Sequence, residues 1–149
     1  MQTDGYHPQF DFEVDLAYGK AAEAEAQAFV DDLRGAAVEV KADRYRNGKM
    51  VVETQQKPAG KDWQHSGINV TTARWWAYRL APGSFLLVEV ERLRRYLRAH
   101  KAELQKVNCA ADGDNPTMGF LLSPEQVRAM MTGINYDPIE AQESVTVPT

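Results

Sequence analysis

The chain has 149 residues, of which 44% are hydrophobic and 26% charged, with a formal net charge of −4. This length suits one domain with a substantial core, and the composition is that of a globular protein. The sequence contains no apolar run near the roughly 20 residues of a membrane span. Its first residues have neither the basic start nor the apolar stretch of a secretion signal, so cytoplasmic residence is expected. The single cysteine, Cys109, excludes a disulfide or a cysteine-based zinc site within this chain. The acidic balance argues against strong non-specific binding to nucleic acid.

The N-terminal part of the sequence predicts a lead-in, a helix and two strands. Residues 1–14 lack a clear periodicity and are expected to be flexible. Residues 15–34 are alanine-rich with apolar side chains at helical spacing, and Gly35 is expected to end this helix. Residues 37–44 and 49–56 alternate between apolar and polar side chains, which predicts two strands.

The middle of the sequence predicts a loop, a helix, a strand and a second helix. A loop over residues 57–65 precedes a helix through residues 73–80, which Thr71 or Thr72 would cap. Residues 84–90 are mostly apolar and predict a buried strand. A basic amphipathic helix then runs to about Val107, with apolar residues facing inward at Leu93, Tyr96, Leu97 and Leu104.

The C-terminal part predicts a loop over residues 108–116, a short strand over 118–122 and a helix that starts at Ser123, with proline in its first turn. Residues 133–149 are polar and are expected to form a disordered tail. The order of elements predicts an α/β domain over residues 15–132, with one mixed sheet flanked by helices.

The dipeptide Asn47-Gly48 between the first two predicted strands is typical of a tight hairpin. A two-residue turn would put Asp43 and Glu53 on opposite faces, because cross-strand partners share a face. A three-residue loop with Gly48 in the left-handed conformation instead pairs Lys41 with Glu53 and leaves the other face apolar.

Burial of the apolar face, formed by Val38, Val40, Ala42, Met50 and Val52, selects this three-residue register. The same register predicts one polar face with both carboxylates within reach of one metal ion. Its members are Glu39, Lys41, Asp43, Glu53 and Gln55.

With Asp43 and then Glu53-Thr-Gln55 on consecutive strands, the chain resembles the PD-(D/E)XK nuclease superfamily in a compact phage-encoded form. Glu23 on the first helix resembles the helical acid of the resolvase-like branch. Residues 64–78 resemble the Ser-Gly-Ile…Thr-x-Ala…Trp segment of small phage members. The resemblance covers roughly residues 15–100 and implies a restriction-endonuclease-like α/β fold.

The resemblance implies metal-assisted hydrolysis of phosphodiester bonds, with Asp43 and Glu53 as ligands of Mg²⁺ or Mn²⁺. Glu23 would bind a second ion or orient the attacking water. Gln55 stands where the family usually has lysine, and Lys41 is expected to supply the missing charge, with Lys57, two residues beyond Gln55, as the other candidate.

DNA is the implied substrate, including branched DNA of the Holliday-junction type. A homodimer is implied because a resolvase cuts two strands, and the host cytoplasm is the implied location if the chain is phage-encoded. The residues expected to contact DNA are Ser66, Thr72, Arg94, Arg95 and Arg98.

Some of these residues also have a purely structural explanation. Lys41 is also explained as an edge lysine that balances Glu39 and Glu53, and the basic helix as a solvated face. Trp75 and Trp76 are expected to pack in the core rather than stack on bases. An alternative function is a catalytically inactive nuclease fold that binds DNA or protein for a phage, in anti-defence or regulation. A further alternative is an enzyme acting on small phosphorylated substrates.

Overall fold

The computed structural model describes residues 12–35, 37–42, 45–109 and 115–138, which fall into two compact units, Met1–Gly35 and Ala36–Thr149. The first unit contains helix α1, Phe12–Arg34. The predicted helix is therefore confirmed, and its last residue is followed by Gly35 as expected. Acidic residues in its first turn favour the helix because they lie near the positive end of its dipole. None of the helices in the described ranges is long and apolar enough to cross a membrane.

The second unit contains strands and helices, which confirms the α/β class. The elements are β1 Val38–Ala42, β2 Met50–Gln56, β3 Gln64–His65, β4 Trp75–Ala81, β5 Ser84–Glu89, α2 Val90–His100, β6 Gln105–Asn108, β7 Thr117–Leu122 and α3 Pro124–Thr132, with 3₁₀ turns at Gly67–Asn69 and Ile134–Tyr136. Within the described residues the strands form two sheets, of order β1–β4–β5 and β3–β2–β7–β6, rather than the one mixed sheet expected. Strand β1 is parallel to β4, and the other pairings are antiparallel.

The predicted hairpin between β1 and β2 is wrong. These strands belong to different sheets, β1 with β4 and β2 with β7. The turn chemistry itself is present, because Gly48 has a φ of +73° and the Asn47 side chain accepts a hydrogen bond from the Lys49 backbone N–H at 3.1 Å. A local turn signal therefore formed a turn without pairing its flanking strands, since longer buried strands supply better partners.

The expected apolar face is confirmed for β2 and inverted for β1. Met50 and Val52 are fully buried, whereas Val40 is 58% exposed and Ala42 is exposed. The polar residues of β1, Glu39 and Lys41, are instead half-buried. The polar face of β1 thus turns towards the interior of the unit.

The helix predicted over residues 73–80 is wrong, because this segment is strand β4. Trp75, Trp76, Ala77 and Tyr78 are all buried, so successive side chains are covered on both faces of the sheet. A continuous apolar run has no alternation to separate a buried strand from a helix, and the aromatic residues favour the strand. The prediction that both tryptophans pack in the core is confirmed.

The strand predicted before α2 is present as β5, but it is not buried as expected, because Phe85 is 55% exposed and only Val88 of this strand is buried. Helices α2 and α3 follow the sequence more closely. The four residues predicted to face inward on the basic helix are buried, but α2 ends at His100 and residues 105–108 form strand β6. Ser123 caps α3 through a reciprocal pair of hydrogen bonds with Gln126, the capping box. The strand predicted over residues 118–122 is β7.

Residues 133–138 differ from the tail predicted for this region. They form a 3₁₀ turn that contacts α2, where Arg95 donates to the Asp137 carbonyl at 2.6 Å. Arg92 forms an ion pair with the Asp137 carboxylate, and His100 hydrogen-bonds Tyr136. Residues 139–149 and most of the predicted lead-in lie outside the described residues.

The two sheets are joined where β2 lacks a neighbour. Strand β3 pairs with β2 only at Gln55 and Gln56, so no strand of the described residues pairs with the Val51 backbone on that side. There the Val51 N–H donates to the Tyr78 hydroxyl of β4 at 3.2 Å. Tyr78 is 3% exposed and belongs to the buried cluster that also contains Met50, Val52 and Trp76. A core side chain thus satisfies a backbone donor that would otherwise be unpaired.

Gly67 fixes the approach of the 3₁₀ turn to β2. Its φ is +53°, and a β-carbon there would collide with the Glu53 backbone carbonyl. Gly60 has a φ of +73° with open space around it. We expect Gly67→Ala to destabilise the fold by about 1–3 kcal/mol more than Gly60→Ala, because both cause left-handed strain but only the first overpacks. Urea unfolding of both variants measures the difference, and equal losses would contradict this packing.

Candidate functional site: the cavity around Glu53

A cavity of about 690 Å³ lies between residues of the two sheets. Strands β1 and β4 contribute Lys41, Trp76 and Tyr78, while β2 contributes Val51 and Glu53. We call it the Glu53 cavity. Its lining residues with polar side chains are Lys41, Tyr45, Asn47, Lys49, Glu53, Trp76, Tyr78, Asn108 and Cys109.

Lys41 is held at the cavity by two neighbours. Its ammonium lies 2.7 Å from the Glu39 carboxylate and 5.6 Å from the centre of the Trp76 ring. About a third of the Lys41 side chain is exposed, so the ion pair with Glu39 is partly screened and weak. The contact with the aromatic face adds attraction for the cation. Lys41 therefore places a positive charge at the cavity wall, next to the Glu39 carboxylate.

Glu53 is the carboxylate among the described lining residues of this cavity. It is half-buried, and its side chain has no hydrogen-bond or ion-pair partner in the part of the chain that the structure describes. A half-buried carboxylate without such a partner loses hydration that nothing else replaces. Glu53 is therefore available to a cation or a hydrogen-bond donor from outside the chain.

Asp43, the other expected metal ligand, lies outside the described residues. Its nearest described neighbours, Ala42 and Tyr45, both line the Glu53 cavity. Among the described residues there is no group of three or more histidine, cysteine or acidic side chains able to hold a metal ion.

Gln55 does not share a cavity with Glu53, contrary to the expected common polar face. The pairing of β2 with β7 shifts between Glu53 and Gln55, which leaves Thr54 as an extra residue in β2. Such a bulge re-aims the side chains that follow it. Gln55 lines a second cavity, between β2 and α2, together with Thr54, Asn69, Arg98 and other residues described below.

The remaining expected site residues are dispersed. Glu23 is exposed on α1, in the first unit. Ser66 is only 4% exposed, and its backbone N–H donates to the Thr54 carbonyl at 3.0 Å. The Ser66 hydroxyl is buried without a hydrogen-bond partner among the described residues. Thr72 is exposed, and Thr71 rather than Thr72 closes the local turn by accepting from the Ala73 N–H at 3.2 Å.

Two of the three arginines expected to contact DNA have structural partners. Arg94 donates to the Ile68 and Thr71 carbonyls at 3.0 and 2.8 Å and pairs with Glu91 at 2.7 Å. Arg95 donates to backbone carbonyls of the 3₁₀ turn at Ile134–Tyr136 and of the next residue. Arg98 is exposed and lines the second cavity. Of this trio, only Arg98 has no hydrogen-bond or ion-pair partner for its side chain among the described residues.

Sequence reasoning missed several lining residues. Lys106 carried no signal because the basic helix was expected to continue to Val107, whereas Lys106 lies on strand β6 and lines the second cavity. Cys109 was interpreted as inert, yet it lines the Glu53 cavity. Correct recognition of residues 105–108 as strand β6 would have placed Lys106 on one face of a sheet, since alternate residues of a strand point to opposite faces.

Comparisons with protein-family models, curated proteins and solved structures give no match for this chain.

Cys109 reports on the charge of the Glu53 cavity. Burial raises the pKa of its thiol, the negative charge of Glu53 raises the pKa further, and a backbone hydrogen bond partly opposes both effects. A neighbouring carboxylate acts this way because it disfavours a second negative charge on the thiolate.

We expect Glu53→Gln to lower the pKa of Cys109, because the repulsion of the thiolate disappears with the carboxylate. Since the chain has one cysteine, alkylation by iodoacetamide is specific, and its pH profile should move to lower pH in this variant. Glu125→Gln, an exposed acid on α3, is the matched control and should leave the profile unchanged. An unchanged profile in Glu53→Gln would contradict the proximity of the two groups.

Proposed function

We propose that the chain is a metal-dependent endonuclease that hydrolyses phosphodiester bonds of DNA, with the Glu53 cavity as its active site. One observation carries the proposal. Lys41 and Glu53 lie on strands of different sheets, yet they line one cavity, and the described residues on either side of positions 43–44 line it as well. Three of the residues expected from the resemblance thus belong to, or are adjacent in sequence to, the walls of a single site.

The oxygen ligands that the cavity offers determine which metal ion it would bind. Glu53 offers hard oxygen ligands of the kind Mg²⁺ and Mn²⁺ prefer, and its carboxylate has no other partner among the described residues. One carboxylate is too few for a stable site, so the proposal requires Asp43 as the second ligand. When bound, the metal would polarise the phosphate and lower the pKa of a coordinated water.

Lys41 takes the role of the lysine that Gln55 replaces. Its ammonium lies at the cavity wall, beside the Glu39 carboxylate and the Trp76 ring. A cation already placed at the site stabilises the negative charge that develops on a phosphate during the reaction. Lys49, exposed at the same cavity, adds a second positive charge that attracts the phosphate backbone. Gln55 has no part in this chemistry, because it lines the other cavity.

On the basis of the resemblance, the proposal also includes branched DNA as a substrate and a homodimer as the active form. Resolution of a junction requires two cuts, which two copies of a single-site enzyme would supply. Cytoplasmic action, in the host cell for a phage-encoded chain, belongs to the same proposal. Glu23 as a helper acid is a further part of it and rests on the resemblance.

A second candidate is a nuclease fold without chemistry that binds DNA or protein. Two placements favour it: the Glu53 cavity has one carboxylate among its described residues, and Gln55 lies away from it. The two candidates differ in whether loss of the Glu53 charge affects cleavage or only binding.

The test is cleavage of supercoiled plasmid and of a four-way DNA junction in the presence of Mg²⁺ or Mn²⁺. We expect Glu53→Gln and Asp43→Asn each to reduce cleavage at least about a hundredfold, and Lys41→Met to reduce it about tenfold or more, because each removes transition-state stabilisation. Glu125→Gln and Asp62→Asn, exposed acids outside the cavity, are the matched controls and should cleave normally.

Cleavage that survives both Glu53→Gln and Asp43→Asn would overturn the site assignment. Absence of cleavage of any DNA form, together with no Mn²⁺ binding by calorimetry, would overturn the nuclease proposal and favour the binding module. Calorimetry on Glu53→Gln connects the two experiments, since the proposal expects loss of Mn²⁺ binding as well as loss of cleavage.

A further inference from the structure

The second cavity, of about 980 Å³, has a charge opposite to that of the whole chain. It is lined by four cationic residues and one carboxylate, whereas the chain carries a net charge of −4. We call it the basic cavity. The charged residues that line it are Glu91, Arg94, Arg98, Lys101 and Lys106.

Three of these cations are available to a ligand. The guanidinium of Arg94 is engaged by Glu91 and by two backbone carbonyls, which also neutralises the one carboxylate. Arg98, Lys101 and Lys106 are exposed and form no ion pair with any residue that the structure describes. They come from α2, the turn after it and strand β6, so two elements converge on one space. Like charges gathered without counter-charges repel one another, and an anion relieves this repulsion.

The rest of the lining suits a polar anion with an apolar portion. Gln55 offers a side-chain amide that has no hydrogen-bond partner among the described residues. Ile68, Leu97 and Phe120 form an apolar part of the wall. The volume is at the upper end of the range for ligand pockets, so more than one phosphate group can enter.

We infer that the basic cavity is a phosphate-binding site, in which Arg98, Lys101 and Lys106 bind the phosphates and Gln55 donates a hydrogen bond to the same ligand. The ligand chemistry is a phosphate group attached to an apolar ring or chain. Two sources supply it, the backbone of a single nucleic-acid strand and a free nucleotide. The inference goes beyond the proposed function, because it concerns a separate cavity and requires no cleavage at Glu53.

The test uses the full chain without divalent metal. Binding of a fluorescein-labelled 20-nucleotide single strand is followed by anisotropy at several salt concentrations, and ADP and inorganic phosphate are titrated as competitors. The variant Arg98→Ala/Lys101→Ala/Lys106→Ala is compared with Lys61→Ala/Arg79→Ala/Arg128→Ala. The second set removes the same charge from exposed positions outside the cavity.

We expect the cavity variant to lose at least tenfold in affinity and the control to lose much less. The plot of log affinity against log salt concentration has a negative slope, and this slope should become shallower by about 2 in the cavity variant. The reason is that three phosphate contacts to a single strand are removed. Displacement of the strand by millimolar ADP would identify a nucleotide as a sufficient ligand, whereas resistance to ADP would identify the strand; either result upholds a phosphate site. Gln55→Ala should weaken binding with the salt slope unchanged, since it removes no charge.

Equal losses in the two triple variants would overturn the inference, because overall charge would then explain binding. Failure of the unaltered chain to bind any of the three phosphate ligands would also overturn it. Urea unfolding of each variant separates lost binding from lost folding. Strand binding is measured without divalent metal, whereas the nuclease proposal is tested by metal-dependent cleavage, so failure of this inference and failure of the nuclease proposal give different results.

Discussion

The second unit depends on the close packing of two glycines against the backbone of β2. A β-carbon on Gly67 would collide with the Glu53 carbonyl, and one on Gly119 of β7 would collide with the Val52 carbonyl. Glycine permits this approach because it has no side chain to separate the backbones. The extra residue of the bulge, Thr54, follows directly and donates its hydroxyl hydrogen to the Met118 carbonyl at 3.3 Å. These contacts fix β2 between Glu53, which lines one cavity, and Gln55, which lines the other.

The consequence is that one strand serves two environments of different charge. Glu53 lines the cavity with Lys41, and Gln55, two residues further on, lines the cavity with Arg98. In a regular strand residues 53 and 55 would share a face. The bulge thus places the Glu53 carboxylate and the cations near Gln55 in separate cavities. Among the described residues, Glu53 in one cavity and Arg98, Lys101 and Lys106 in the other form no ion pair, which leaves their charges available to a ligand.

Local signals in the sequence predicted much of this fold. The apolar alternation of β2, the inward face of α2 and the helix start at Ser123 all depend on neighbours within a few residues, and all are confirmed. Pairing between distant strands is different. β1 pairs with β4, more than thirty residues away, and its polar residues turn inward because Trp76 lies beneath Lys41. The alternation of side chains within one hairpin could not reveal that the polar residues of β1 face inward. Lys41 and Glu53 share a cavity because two sheets meet there, not because they are cross-strand partners.

The basic run on α2 illustrates why a count of charges in a sequence overstates a binding surface. Arg94 and Arg95 are drawn to backbone carbonyls of the 3₁₀ turns at Gly67–Asn69 and Ile134–Tyr136, or of residues next to them. These carbonyls need donors because short turns leave acceptors unpaired. Arginine meets that need well, since its guanidinium offers five donors in a rigid plane. Arg98, one turn after Arg94, reaches no such carbonyl among the described residues and stays available. The positions of unpaired carbonyls thus decide which cations stabilise the fold and which remain free for a ligand.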